Sequence, residues 1–275
     1  MSALDLILNV AALLLWLNWR AVAPVGLAPP EALALSLSLP RRVAPPQGRW
    51  LYLLGLIALL VARAVFYWQA GPQLGWTAGI SLGPVVLPFY SLFLGRMLLF
   101  SFFSFGAALG VFYLCLLALS WLNSPVADAD PAQRLVRRHL GALDRWPKSA
   151  KLLLPLLVMV VLWFLLNPLL LRVQMVPRVT PWHLLAQGAV IGLAVYLVLK
   201  FLVVGFLLLH VLNSYIYLGD FPFWNFVNTT ARGLLRPLRW LPLRIGRVDL
   251  APVAAAALVL LAAELGGRGL DRLYP

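Results

Sequence analysis

Acidic residues and cysteine are the groups that this sequence contains least of. Of its 275 residues, nine are Asp or Glu and one is Cys, against 22 Lys or Arg, so the net charge is +13. The single cysteine, Cys115, excludes an internal disulfide and has no metal-ligand spacing around it. Paired carboxylates, a nucleophile–base pair and clustered metal ligands are also missing from the sequence, which favours a non-enzymatic protein that needs no cofactor and no metal.

Charged residues of both signs are scarce. They make up 11% of the chain and hydrophobic residues make up 63%, whereas soluble domains contain about 25% and 45–50%, respectively. The apolar runs lack the alternation of barrel strands, and a helix satisfies its own backbone in lipid. We therefore predict an all-α membrane protein. Most of its basic residues lie between the apolar runs, where they can interact with anionic headgroups, so we expect the lipid bilayer and not nucleic acid as a partner.

Six segments are apolar and long enough, at roughly 20 residues, to form transmembrane helices. They are Leu4–Trp19, Leu51–Trp68, part of Val85–Trp121, Leu152–Leu171, Trp182–Leu212 and Leu250–Leu265. The Gly- and Pro-rich stretch Gly71–Pro88 is predicted to dip into the bilayer or lie on its outer face. We interpret the first segment as a retained helix, because the stretch before its apolar run carries Asp5 and no basic residue, unlike a signal peptide.

The chain repeats one order of features three times. Spans one, three and five end in an asparagine (Asn18, Asn123, Asn213), and each is followed by a polar loop with proline, an amphipathic segment and another span. The second and third amphipathic segments are basic. We predict three parallel units, each a span, loop, interfacial helix and span, over residues 1–70, 82–172 and 182–275, with a linker at 71–81.

The basic residues predict the orientation of these units. Fifteen of the 22 lie in the three loops inside the units, and four lie on the opposite side. The positive-inside rule then places the unit loops in the cytoplasm and both termini outside.

The last unit contains the most distinctive motif of the chain. Leu234-Leu235-Arg236-Pro237-Leu238-Arg239 is followed by Pro242, Gly246 and Asp249-Leu250-Ala251-Pro252. This stretch resembles the YggT/YlmG family of small integral membrane proteins of bacteria and plastids, although Ala251 stands where the family usually has Ser. The second unit resembles a degenerate copy and the first a weaker one.

The motif has a physical interpretation that does not depend on the resemblance. Its leucines can face the acyl boundary while four arginines reach headgroup phosphates; these are Arg236, Arg239, Arg244 and Arg247. Asp249 just precedes the sixth span, where a carboxylate can cap free backbone N–H groups. We predict an interfacial anchor with a helix cap.

Four charged residues fall inside apolar stretches and are candidate functional residues. They are Arg63, Arg96, Lys200 and Glu264. We predict that Arg63 pairs with Glu264, since both lie some 13–14 residues into the closing span of their units. Lys200 could snorkel or could face a partner subunit. Gly188 and Gly192 form a G-x-x-x-G pattern that allows two helices to approach closely.

The expected function follows mainly from the resemblance. YggT/YlmG relatives are linked to assembly of membrane complexes and to membrane organisation. The resemblance thus implies a multi-pass protein of the bacterial inner membrane that acts as a scaffold, assembly factor or accessory subunit beside a protein partner. The alternative is a channel or transporter for ions or small osmolytes that uses the four intramembrane charges.

Overall fold

The computed structural model describes residues 2–21, 48–123, 131–216, 221–238, 244–245 and 248–274. Nine α-helices and two short antiparallel hairpins form within these residues. The helices are α1 (Ser2–Ala21), α2 (Gly48–Gln73), α3 (Leu94–Leu122), α4 (Pro131–Leu140), α5 (Lys148–Arg172), α6 (Pro181–Tyr196), α7 (Leu199–Tyr215), α8 (Pro222–Leu235) and α9 (Ala251–Leu273). The strands are β1 (Thr77–Leu82) with β2 (Val85–Tyr90), and β3 (Arg244–Ile245) with β4 (Val248–Asp249).

Six of these helical segments are long and apolar enough to cross a membrane, within the part of the chain that the structure describes. They are α1, α2, α3, α5, α6 together with α7, and α9. This confirms the prediction of an all-α protein with six spans, because long apolar runs in lipid must satisfy their backbone inside a helix. The three-unit arrangement stays a prediction, and the loop of the first unit, residues 22–47, lies outside the described residues.

Two spans differ in detail from the prediction. The fifth is a pair of helices joined at Leu197–Val198, where bonds from Leu197 and Val198 N–H to Ala194 and Val195 carbonyls are of the tighter i to i+3 type. The sixth continues to Leu273, so Glu264 lies inside the helix and not at its end.

The stretch between the second and third spans folds as a hairpin. β1 and β2 are joined by Gly83-Pro84, and Gly83 has a φ of +67°, as the first position of a type II′ turn requires. β2 alternates buried and exposed side chains in a two-residue period. The sequence did not indicate these two strands, because the glycines and prolines in this stretch are turn signals that obscure the alternation of a strand.

A polar loop with proline was predicted after the fifth span, and this was wrong for the proline, because Pro222 is the first residue of α8. Proline is tolerated there, since the first N–H of a helix has no internal partner. The helix gives way to a 3-10 turn at Arg236–Leu238, which contains Pro237. α4 and α8 thus follow the third and fifth spans, respectively, as the repeat pattern predicts.

The chain divides into two compact units, each with its own core. The first contains residues 1–80 and 88–109, and the second contains residues 81–87 and 110–275. In the first, Ala12 of α1 packs against Leu56 and Leu60 of α2 and Phe105 of α3. In the second, Leu116 and Leu119 of α3 pack with Val136 of α4 and Phe226 of α8.

Candidate functional site

Arg63 is the centre of a buried polar cluster in the first compact unit. Its side chain is 1% exposed, and Nη2 donates to Asp5 Oδ1 at 2.6 Å and to Ser104 Oγ at 2.9 Å. Nη1 donates to Asn9 Oδ1 at 2.8 Å, and the Tyr67 hydroxyl donates to the same Asp5 oxygen at 2.7 Å. A guanidinium with its counter-charge and several hydrogen bonds is tolerated in an apolar interior, whereas a lone one is not.

Aromatic rings surround the same guanidinium. Its carbon lies 5.1 Å from the ring centroid of Phe100 and 5.6 Å from that of Tyr67. Tyr67 in turn packs on Trp76 at 4.8 Å between ring centroids. These contacts add cation–π attraction where water is excluded.

The cluster corrects the predicted ion pair. Asp5 neutralises Arg63, and Glu264 instead contacts Arg268 one turn further along α9, at 3.1 Å. Sequence reasoning used Asp5 only to exclude a signal peptide. The sequence did contain a signal for this cluster: Asp5 and Asn9 are four residues apart, so both polar side chains share one face of a helix.

A second polar cluster lies in the second compact unit, where α5 begins. Lys151 Nζ donates to Ser120 Oγ at 2.8 Å, and Ser120 donates to Asp144 Oδ1 at 2.5 Å. The same carboxylate lies 3.6 Å from Lys151 and 3.3 Å from Arg137 Nε. The Lys151 side chain is 5% exposed, so α5 begins with a buried cation held by α3 and by the 3-10 turn at Gly141–Arg145.

Ser120 and Lys151 resemble a nucleophile–base pair, but their surroundings oppose that chemistry. The Lys151 ammonium and the Ser120 hydroxyl are bonded to each other, and both lie against the Asp144 carboxylate. Ser120 is also 1% exposed, so a substrate has no access to it. Residues 131–151 contain six basic residues and a single acidic one, Asp144. This imbalance is the feature of the sequence that could have identified Asp144 as a partner for a buried cation.

Two hydrogen bonds attach α8 to the ends of neighbouring spans. Asn123 Nδ2 donates to Thr230 Oγ1 at 2.9 Å, and His210 Nδ1 is 2.8 Å from Asn228 Oδ1. Asn123 is one of the three asparagines that mark the repeat. The polar face of α8 is therefore partly directed at protein, and His210 has a structural partner.

The predicted headgroup residues fall at the margin of the described structure. Arg236 is exposed directly after α8, whereas Arg239 and Arg247 lie outside the described residues. The backbones of Arg244 and Asp249 face each other across the β3–β4 pair. Leu250 occupies the N-cap position of α9, one residue after the cap predicted at Asp249.

Gly188 and Gly192 lie on the face of α6 that packs against α5. A Cβ on Gly188 would lie 3.3 Å from Val160 Cα, and one on Gly192 would lie 3.1 Å from the Leu156 carbonyl oxygen. Contacts this close are tighter than most side chains make, so α5 would have to shift to admit a Cβ at either position. The two glycines therefore serve packing within the chain.

The remaining intramembrane charges have different surroundings. Arg96 lies in the first turn of α3, over the rings of Tyr90 and Phe93 at 5.6 and 5.2 Å. The Glu264–Arg268 pair is 60% and 68% exposed. Lys200, the second residue of α7, lies 5.2 Å from the ring centroid of Phe201.

Together these features define a multi-span α-helical membrane protein with two buried ionic clusters among the described residues. No protein-family model matches the chain, and no curated protein or solved structure is significantly similar to it. The resemblance of the last unit to YggT/YlmG proteins therefore stays a prediction from the motif.

Proposed function

We propose that this chain is a non-enzymatic scaffold, assembly factor or accessory subunit of a larger membrane complex. The observation that carries the proposal is that Lys200, inside the fifth span, is in none of the ion pairs among the described residues. Pro181 and Tyr215, the ends of the fifth span, are 19 and 15 residues from it. This span of 35 residues is about 50 Å long at about 1.5 Å per residue, more than a hydrocarbon core of about 30 Å, and Lys200 lies inside it and not at either end.

The surroundings of Lys200 within the described chain do not neutralise it. None of the ion pairs of the described residues includes it, and the ring beside it belongs to Phe201, which is 69% exposed. A lysine inside a span costs up to about 2.5–3.5 kcal/mol on insertion scales, the upper value applying at the bilayer centre, and an exposed cation–π contact returns about 0.5–1 kcal/mol. A carboxylate on a neighbouring subunit would offset the rest.

The two buried clusters support the same function. Arg63 and Lys151 are each held by a carboxylate and hydroxyl groups of their own compact unit, which is the environment of structural charges. The resemblance to YggT/YlmG proteins also favours a role in membrane-complex assembly, in the inner membrane of a bacterium, with the unit loops in the cytoplasm and both termini outside.

The test is affinity purification in mild detergent followed by quantification of co-purifying proteins. The wild-type chain should carry a stoichiometric partner. Lys200→Met should lose it, while Lys200→Arg, which keeps the charge, and Arg178→Met, which removes an exposed charge outside the spans, should retain it. A wild-type chain that elutes alone, or an equal yield of partner with Lys200→Met, would reject the proposal.

A second candidate function is a channel or transporter for ions or small osmolytes. The observation in its favour is the interruption of the fifth span at Leu197–Val198, two residues before Lys200, because interrupted helices line many transport sites. Liposomes containing the purified chain should then pass ions, and Lys200→Ala should abolish the flux. A lack of flux under every imposed gradient would exclude this candidate.

A further inference from the structure

The second compact unit contains an apolar cavity of about 190 Å³ that none of the sequence predictions uses. The end of α3, the start of α5, the start of α7 and Leu234 of α8 form its walls. Leu114 and Trp121 both line it and are seven residues apart on α3, so the cavity extends about 10 Å along that helix. Trp121 and Leu152 are 41% and 55% exposed, so the cavity opens to the surface.

The walls are almost entirely hydrocarbon. Lys151 contributes to the lining, but its ammonium is bonded to Ser120 and lies beside Asp144. Tyr196 also contributes, and its hydroxyl donates to the Leu152 carbonyl. Both polar groups are thus occupied by protein, and the cavity suits an apolar chain and not a polar solute.

Position decides which apolar group fills this space. The lining helices α3, α5 and α7 belong to predicted membrane spans, so that the surrounding solvent is lipid. An empty slot would lose the dispersion contacts that packed hydrocarbon makes. The cavity begins where α3 ends and α5 starts, at the level where Trp121 suits the membrane interface.

Positive charge at the α5 end of the cavity indicates that the lipid has an anionic headgroup. Arg145 and Lys148 are exposed directly before and at the start of α5, and Lys148 is three residues before Lys151, on the same side of the helix. The nearby carboxylate, Asp144, is already shared by Lys151 and Arg137. The exposed cations therefore leave an excess of positive charge that a phosphate group would neutralise.

We propose that this cavity binds one acyl chain of an anionic bilayer phospholipid, whose phosphate is held by Arg145 and Lys148. The lipid would fill the space between α3, α5 and α7 and stabilise the second compact unit. This site is separate from the arginines of the Leu234–Arg239 motif and does not depend on the function proposed above.

Intact-mass measurement of the protein–lipid complex tests this proposal. The chain is reconstituted with equal amounts of phosphatidylglycerol and phosphatidylcholine, released into mild detergent and examined by native mass spectrometry. The wild type should retain one phosphatidylglycerol. Ala118→Phe fills the cavity and should lower this adduct at least about fivefold, because the ring occupies the space of the acyl chain.

The matched control is Ala107→Phe, which makes the same substitution at an exposed position of the same helix and should retain the lipid. Arg145→Gln with Lys148→Gln should equalise retention of the two phospholipids. Ala118→Leu, a smaller filler, replaces Ala118→Phe if the latter elutes as an aggregate. A wild-type chain without bound lipid, or equal adducts with Ala118→Phe and Ala107→Phe, would overturn the proposal.

Discussion

Asp5 is the carboxylate whose removal should most disturb the first compact unit. Asp5→Asn keeps the shape of the side chain and one acceptor oxygen but leaves the Arg63 guanidinium, 1% exposed, without a counter-charge. Removing one member of a buried pair costs about 3–5 kcal/mol. Because Asp5 is itself 22% exposed and Asn still accepts a hydrogen bond, we expect the lower end, about 3 kcal/mol.

Thermal unfolding in mild detergent measures this effect. At about 2–4 °C per kcal/mol for a chain of this size, the apparent midpoint should fall by about 6–12 °C. The double variant Asp5→Asn with Arg63→Met removes the buried charge altogether and should recover most of the loss, because an apolar side chain replaces the pair without an uncompensated ion.

Glu264→Gln provides the control. It removes a carboxylate that is 60% exposed and paired one turn away with Arg268, and such pairs contribute about 0.3–0.5 kcal/mol. The reasoning would be refuted if Asp5→Asn cost no more than Glu264→Gln, or if the double variant were as unstable as Asp5→Asn alone.

Two further predictions concern the second compact unit. Gly192→Leu should push α6 away from α5 and lower stability by about 1–3 kcal/mol, because even a Cβ at this position would lie 3.1 Å from the Leu156 carbonyl oxygen. Gly205→Leu is the control, since no atom lies within 4 Å of a Cβ there, and it should leave the melting midpoint unchanged. Equal midpoints for the two variants would contradict the packing of α6 on α5. Asp144→Asn should destabilise by about 3 kcal/mol, since it leaves the Lys151 ammonium unpaired, and adding Lys151→Met should restore most of the midpoint; no restoration would show that the carboxylate acts in another way.

Much of the secondary structure follows from local composition. Helices are the structures that let single chain segments cross lipid, so the length and number of apolar runs determined the six spans. Amphipathic spacing likewise indicated α4, where basic residues alternate with Leu135 and Val136 in a helical period. α8 was partly missed, since Pro222 and the polar residues after it are typical of a loop as well as of the first turn of a helix.

The candidate sites depend on partners that are far apart in sequence. Arg63 was recognisable as a buried charge, but its choice of Asp5, 58 residues away, results from the packing of α1 against α2. The sequence also identified the glycines of α6 without showing that α5 would cover them.

The sequence by itself determined that this is a six-span helical membrane protein, because hydrophobic length and the need to satisfy the backbone in lipid are properties of each segment alone. The tertiary structure decided which charges neutralise each other, where the fifth span is interrupted without a proline or glycine, and that an open cavity lies between α3, α5 and α7. These features arise from close packing between segments that are distant in sequence, so no single segment encodes them.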